Sequence, residues 1–273
     1  MTVSPSRADR HLAVFPRAGL DEPEPVPGLL PVSLVIPTLN EAANLAHVFA
    51  RIPSGVHEVI VVDGGSTDAT VEVARRLRPD IRIVEQTGRG KGDALRCGFR
   101  ACSGEIIVML DADGSTDPGE IARYVRAIHD GAEFAKGSRF LSGGGSADIT
   151  RLRRAGNSVL CGVVNLLFGT KYSDLCYGYN AFLASRLDAI DVDCSGFEVE
   201  TLINIRIAKL GLRIAEVPSF EAQRVHGESK LHPFRDGLRV LRVVLRERWR
   251  ASGSPAAAVL EAEIGREICT EFG

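Results

Sequence analysis

The chain predicts an α/β fold with a mainly parallel central sheet flanked by helices. Two observations carry this reading. From residue 32 onward, short runs rich in β-branched residues alternate with stretches of helical periodicity, the pattern of successive βαβ units. One run, "EIIVMLD" at 105 to 111, is apolar on both faces, so it belongs inside a sheet covered by helices on each side.

The elements follow in order. "VSLVIP" (32 to 37) reads as the first strand, and "EAANLAHVFARI" (41 to 52) as a helix with Leu45, Val48, Phe49 and Ile52 on one face. "EVIVVD" (58 to 63) is a second strand, and "DATVEVARRL" (68 to 77) a second helix. "IRIVE" (81 to 85) is a third strand, followed after a glycine loop by the helix "DALRCGFRAC" (93 to 102). The fourth strand is 105 to 111. In the helix that follows it, Asp117 is placed to cap, Pro118 to take the first position and Glu120 to complete a capping box. "GFEVETLINIRIAKLG" (196 to 211) predicts a helix burying Phe197, Leu202, Ile205 and Ile207. From Pro233, "PFRDGLRVLRVVLRERWR" places Phe234, Leu238, Leu241 and Leu245 on one stripe and arginines elsewhere, a basic amphipathic helix suited to an anionic membrane surface or to docking on the domain.

This divides the chain into a proline-rich arm (1 to 30), a catalytic-sized domain (31 to 232), the amphipathic helix (233 to 250) and a tail (251 to 273). With 273 residues, 45% of them hydrophobic, the chain has ample material for one large core. A net charge of -2 argues against a nucleic-acid partner, which would call for a basic footprint. Six scattered cysteines without a C-x-x-C pair give no zinc signature and fit a reduced, cytoplasmic protein. The apolar stretch around 158 to 172 is too short to span a bilayer, so no transmembrane segment is expected. A homo-oligomer is compatible with the sequence.

The chemistry gathers at strand ends, where open α/β sheets form their ligand crevice. GSTD occurs twice, at 65 to 68 and 114 to 117, and its Ser66, Thr67, Asp68, Ser115, Thr116 and Asp117 are helix-start punctuation. Asp63, Asp111 and Asp113 precede those caps. Asp111 and Asp113, two apart, point the same way in extended chain and together favour a cation; hard carboxylates with few other ligands suit Mg²⁺ or Mn²⁺ shared with phosphates. An EF-hand does not fit, because glycine is fourth rather than sixth and Ala122 stands where a bidentate glutamate is required.

In order, "IPTLNE", "VVDGGSTD", "GKG", "DAD", "KGSR" and "HGESK" resemble the motifs of inverting family 2 glycosyltransferases of the GT-A fold. The likeness is greatest to the dolichol-phosphate mannose synthase and bacterial polyprenyl-phosphate branch, over about residues 32 to 250. The resemblance implies a nucleotide-diphospho-sugar donor, and a divalent ion on Asp111 and Asp113 with Ala112 between them at the donor. Pro37, Leu39 and Glu41 would touch base and ribose, and Asp63 the base or ribose. For Glu41 a helix-dipole role, and for Asp63 a loop cap, are the alternatives. Lys91, in a glycine-rich loop, is a candidate for the donor phosphates or a solvated lysine. His226 and Lys230 would lie over the diphosphate. Arg139, and one of Arg153 and Arg154, would bind the acceptor phosphate and the diphosphate, with Asp113 and Arg139 among the catalytic groups. Glu198 or Glu200 would serve as base for an alcohol acceptor, or orient a phosphate acceptor that needs no base. The preferred acceptor is a polyprenyl phosphate at the inner membrane face. Alternatives are a soluble alcohol acceptor, or a nucleotide-sugar-binding module without catalysis. The sequence departs from many relatives at Gly64, where a second Asp is common, and at Ser115, where a Gln often assists the metal.

Overall fold

The structure, a computed structural model, describes residues 11–12, 24–26, 30–227 and 233–250. In chain order its strands are β1 (His11–Leu12), β2 (Val32–Thr38), β3 (Glu58–Asp63), β4 (Arg82–Glu85), β5 (Ile106–Met109), β6 (Phe134–Ser138), β7 (Gly145–Ser146), β8 (Asn180–Leu183), β9 (Ile214–Pro218) and β10 (Phe220–Glu221). Its α-helices are α1 (Ala42–Ala50), α2 (Thr70–Leu77), α3 (Lys91–Ala101), α4 (Ile121–His129), α5 (Arg151–Phe168), α6 (Leu187–Ile190), α7 (Val199–Lys209) and α8 (Pro233–Trp249).

The main sheet has the order β1-β9-β6-β8-β5-β2-β3-β4. All its pairings are parallel except those of β8, which runs antiparallel between β5 and β6. Strand alternation sorts the core into two layers. Leu34, Ile36, Val59, Val61, Ile106 and Val108 face α1, α2 and α4. Val35, Ile60, Val62, Ile107 and Met109 face α3, α5, α7 and α8. Residues 106–110 are therefore buried on both faces, as the composition requires; β5 ends at Met109, the Leu110 amide still donates to the Val35 carbonyl at 3.3 Å, and Asp111 lies in the loop.

Several local expectations are corrected. The third helix starts at Lys91, not 93, so Lys91 is a helix residue: Gly90 turns the chain with φ +86°, and a Cβ there would lie within 2.2 Å of the Ser195 carbonyl. Asp117 caps by accepting from the Gly119 amide, at the start of a 3₁₀ turn (Pro118–Glu120). The capping box does not form, because Glu120 turns inward to Ser219 and Arg123 and burial raises its pKa. Ser66 and Thr67 do not cap α2; they lace the second loop to Asn40, while Asp68 accepts from Thr70. Phe197 is not buried and lines the cleft described below. The proline-rich arm is fixed at two points: His11–Leu12 pairs with Ile214 and Ala215, and buried Val26 donates to the Ser54 carbonyl.

The last helix docks on the domain through Val240, Val243 and Val244, against α5 and α7. A charged clasp secures it: Arg206 of α7 holds Glu247 at 2.9 Å and Asp193 at 2.8 Å. The opposite side carries Leu238, Leu241, Leu245 and Trp249, the last 78% exposed.

Candidate active site

The chain leaves β2 toward β3 and β4 on one side and returns to β5 on the other, so the loops after β2 and β5 diverge. This switch point opens the crevice. A cavity of about 770 Å³ lies there and extends between α5 and α8. The antiparallel β8 contributes from the opposite direction: its entering residues, Cys176 to Gly178, reach the same end of the sheet as Asp111.

Asp111 accepts an ion pair from Lys91 Nζ at 2.5 Å, and the same ammonium pairs with Glu200 Oε1 at 2.6 Å. Lys91 reaches them from the first turn of α3 and Glu200 from that of α7. Burial works against the Lys91 charge, but Asp111 and Glu200 outweigh it and raise its pKa. Burial likewise lifts Glu200 above the usual carboxylate range, with Asp111 adding to the effect and Lys91 opposing it. Gly178 makes the convergence feasible, since a Cβ there would stand 2.7 Å from Lys91 Nζ and 2.9 Å from Asp111 Oδ2.

Asp113 is held differently. Its Oδ1 accepts from the Ser115 amide and hydroxyl, at 2.9 and 2.7 Å. Its Oδ2 pairs with Arg224 Nη2 at 2.8 Å, and Arg224 Nη1 also reaches Glu41 at 3.4 Å. Glu41 accepts from Asn44 Nδ2 at 2.6 Å, so it joins this network as well as starting α1.

Pro37, Leu39, Glu41, Lys91, Asp111, Ala112, Asp113, Arg139, Arg153 and Glu200 line one cavity. Asp63 does not join them; its carboxylate closes its own loop by accepting from the Gly65 and Ser66 amides. Glu198 is buried outside the lining, one oxygen bonded to the Gly196 amide, so of these two glutamates it is Glu200 that lines the cleft. The Arg154 guanidinium sits over the Phe140 ring at 5.1 Å rather than in the cavity. His226 is exposed, with its carbonyl accepting from Asn44, and Lys230 lies outside the described residues.

Arg139 is 4% exposed and already saturated: Nε and Nη2 grip Asp174 at 2.7 and 3.0 Å, and Nη1 meets Glu221 at 3.1 Å. Burial opposes its charge, but Asp174 and Glu221 raise its pKa, so it is a buried strut matched by two carboxylates more than a free phosphate clamp. Arg153 pairs with Asp148 at 3.0 Å on the cavity rim. Sequence reasoning missed Arg224, Asp174 and Glu221; Arg224 stands two residues before His226, and its charge there was the available signal.

The sequence profile of glycosyl transferase family 2 matches residues 33–190. The chain belongs to that family. This family 2 glycosyltransferase is 32% identical over 209 residues to glycosyltransferase AglJ of Haloferax volcanii, covering 76% of the chain and 68% of that protein. It is 32% identical to the undecaprenyl-phosphate mannosyltransferase of Micrococcus luteus, covering 73% of the chain and 87% of the relative. It is 31% identical to the dolichol-phosphate mannosyltransferase of Pyrococcus furiosus, of which it spans 59%. Among solved structures, glucosyl-3-phosphoglycerate synthase from Mycobacterium tuberculosis, in complex with Mn²⁺, UDP-glucose and phosphoglyceric acid, superposes with a TM-score of 0.65 at 25% identity, covering 81% of this chain and 80% of that one. The protein is thus an enzyme of the GT-A fold that uses a nucleotide-sugar donor.

Proposed function

We propose that this glycosyltransferase moves a sugar, with inversion, from a nucleotide-diphospho-sugar to the phosphate of a polyprenyl phosphate at the cytoplasmic membrane face. The observation that carries the acceptor is the shape of the cleft. From the acids it runs between α5 and α8 along Ile149, Leu152, Leu160, Phe197 and Val240. Gly156 and Gly237 widen it, because a Cβ at either would touch nothing. Outside it stand the leucine stripe of α8 and exposed Val159 and Leu166 of α5, with arginines beside them. Such a face suits an anionic bilayer. Among the described residues no helix is long and apolar enough to cross one. Relatives named for undecaprenyl and dolichol phosphates support the same acceptor.

Asp111 and Asp113 fit Mg²⁺ or Mn²⁺. No described cluster offers three or more protein ligands, so two carboxylates would complete an ion's shell only with phosphate oxygens and water. When bound, the ion neutralises charge on the departing nucleoside diphosphate. The acceptor phosphate oxygen attacks the anomeric carbon from the face opposite the leaving group, and the bond from that carbon to the donor diphosphate oxygen breaks. A phosphate oxygen needs no proton removed, so Glu200 holds Lys91 in place and takes no proton. A soluble alcohol acceptor would instead require Glu200 as base, which its upward-shifted pKa favours.

The test is transfer by the purified chain from a panel of nucleotide sugars, with Mn²⁺, Mg²⁺ or a chelator, to undecaprenyl phosphate, farnesyl phosphate and simple alcohols. Transfer to prenyl phosphate that stops with the chelator, giving product of inverted anomeric configuration, is the expected result. Transfer only to alcohols would sink the acceptor assignment, and undiminished transfer in chelator the metal.

A further inference from the structure

Both acids of the D-A-D sequence already carry a protein cation: Lys91 on Asp111 at 2.5 Å, Arg224 on Asp113 at 2.8 Å. The two cations are mounted differently. Lys91 is inside the fold, its side chain 10% exposed and shared with buried Glu200. Arg224 is on a loop whose backbone is fixed on both sides. The Ala222 amide donates to the Ser115 carbonyl at 2.7 Å and the Val225 amide to the Asp113 carbonyl at 3.2 Å. Close approach of that loop depends on Gly114, at φ +76°, where a Cβ would lie 2.7 Å from Val225 Cγ2. The Arg224 Cα is therefore held against the acid loop, while its side chain spans open cleft to Asp113 and Glu41.

We infer that Arg224 gates the metal site: its guanidinium occupies Asp113 in the free enzyme and transfers to the donor diphosphate, so that the divalent ion enters together with the nucleotide. The inference rests on the assignment of Asp113 as a metal ligand. Two like charges cannot share one carboxylate oxygen at contact distance without strong repulsion, so an ion arriving alone must displace the guanidinium. A diphosphate offers that guanidinium a bidentate partner of higher charge, and it brings oxygens for the ion as well. Metal and nucleotide are then coupled, each raising the affinity for the other by the same factor. Arg224 is a donor-binding residue in this scheme, and Lys91 stays on Asp111 throughout.

The test is Mn²⁺ binding to the full chain by electron paramagnetic resonance, alone and with UDP or GDP, in the wild type, Arg224→Gln, Arg224→Lys and Asp113→Asn. Thermal unfolding without metal checks that each variant folds. The expected result is that Arg224→Gln tightens Mn²⁺ binding without nucleotide by about tenfold. The gain that nucleotide adds then shrinks by the same factor, and Arg224→Lys falls between. If Asp113→Asn abolishes binding but Arg224→Gln binds Mn²⁺ no more tightly than wild type without nucleotide, the gate is wrong and the metal site stands. If Asp113→Asn keeps wild-type affinity in the presence of nucleotide, the metal assignment itself fails, and the gate with it.

Discussion

Gly178 sets how closely three charges meet. A methyl group there would collide with the flexible end of Lys91, which can swing aside, so Gly178→Ala should fold and yet separate Lys91 from Asp111. We expect its transfer rate to fall roughly ten- to a hundredfold, with a melting temperature within about 4 °C of wild type; steady-state assays and a thermal scan check both. Lys91→Ala is a different kind of change, because it leaves Glu200 buried beside Asp111 without its cation. Removing one partner of a buried pair should cost about 3 kcal/mol, most of it recovered in Lys91→Ala/Glu200→Gln, as denaturant unfolding of the double-mutant cycle would show. At this scale the sequence spoke clearly where partners were neighbours. Asp111 and Asp113 were legible because strand geometry relates positions two apart. Arg224 was not, since its partner Glu41 is 183 positions away and only the folded sheet brings them together. Arg139 was legible as a charge after β6, but its two carboxylate partners, which make it a buried strut, come from the loop before β8 and from β10, far along the chain.

The helices α5 and α8 flank the groove proposed for the acceptor, and each shows a face that periodicity alone assigns ambiguously. Helix α8 has two apolar rows, leucines and valines, and nothing local says which row meets the domain. Packing chose the shorter valines, and the leucines remained outside. The groove between these helices makes a size prediction. Gly156→Leu should reduce transfer to undecaprenyl phosphate at least tenfold, while an acceptor with a short chain is spared, because the new side chain fills open groove and touches none of the acids. Paired assays with undecaprenyl and farnesyl phosphate would show it. The clasp that seats α8 is sensitive to acid. Burial alone would raise Asp193 and Glu247, but bonds from Arg206 outweigh it and hold both below their usual range. Their folded pKa values are lower than the unfolded ones, so the clasp contributes fully above about pH 4 and fades as the pH falls through the folded values. Thermal unfolding at pH 7 and pH 3 should therefore show a smaller pH gap in Arg206→Met than in wild type.

For the whole molecule, the alternation of strands and helices and the position of the crevice followed from local patterns, because a doubly wound sheet has a switch point wherever its strand order reverses. The reversal of β8 did not follow. "NAF" is short and apolar, and its direction is set by the neighbours it enters between rather than by its own residues. That reversal brings Gly178 beneath the acids. The late arrival of Arg224 has a consequence for biosynthesis. Ribosomes deliver domains from the N-terminus, and at typical elongation rates Asp113 precedes Arg224 by on the order of ten seconds. Throughout that interval Lys91 can already neutralise Asp111, but the arginine that pairs with Asp113 has yet to be made. The nascent protein thus carries a half-compensated acid pair, and the finished one closes it with a residue from late in the chain.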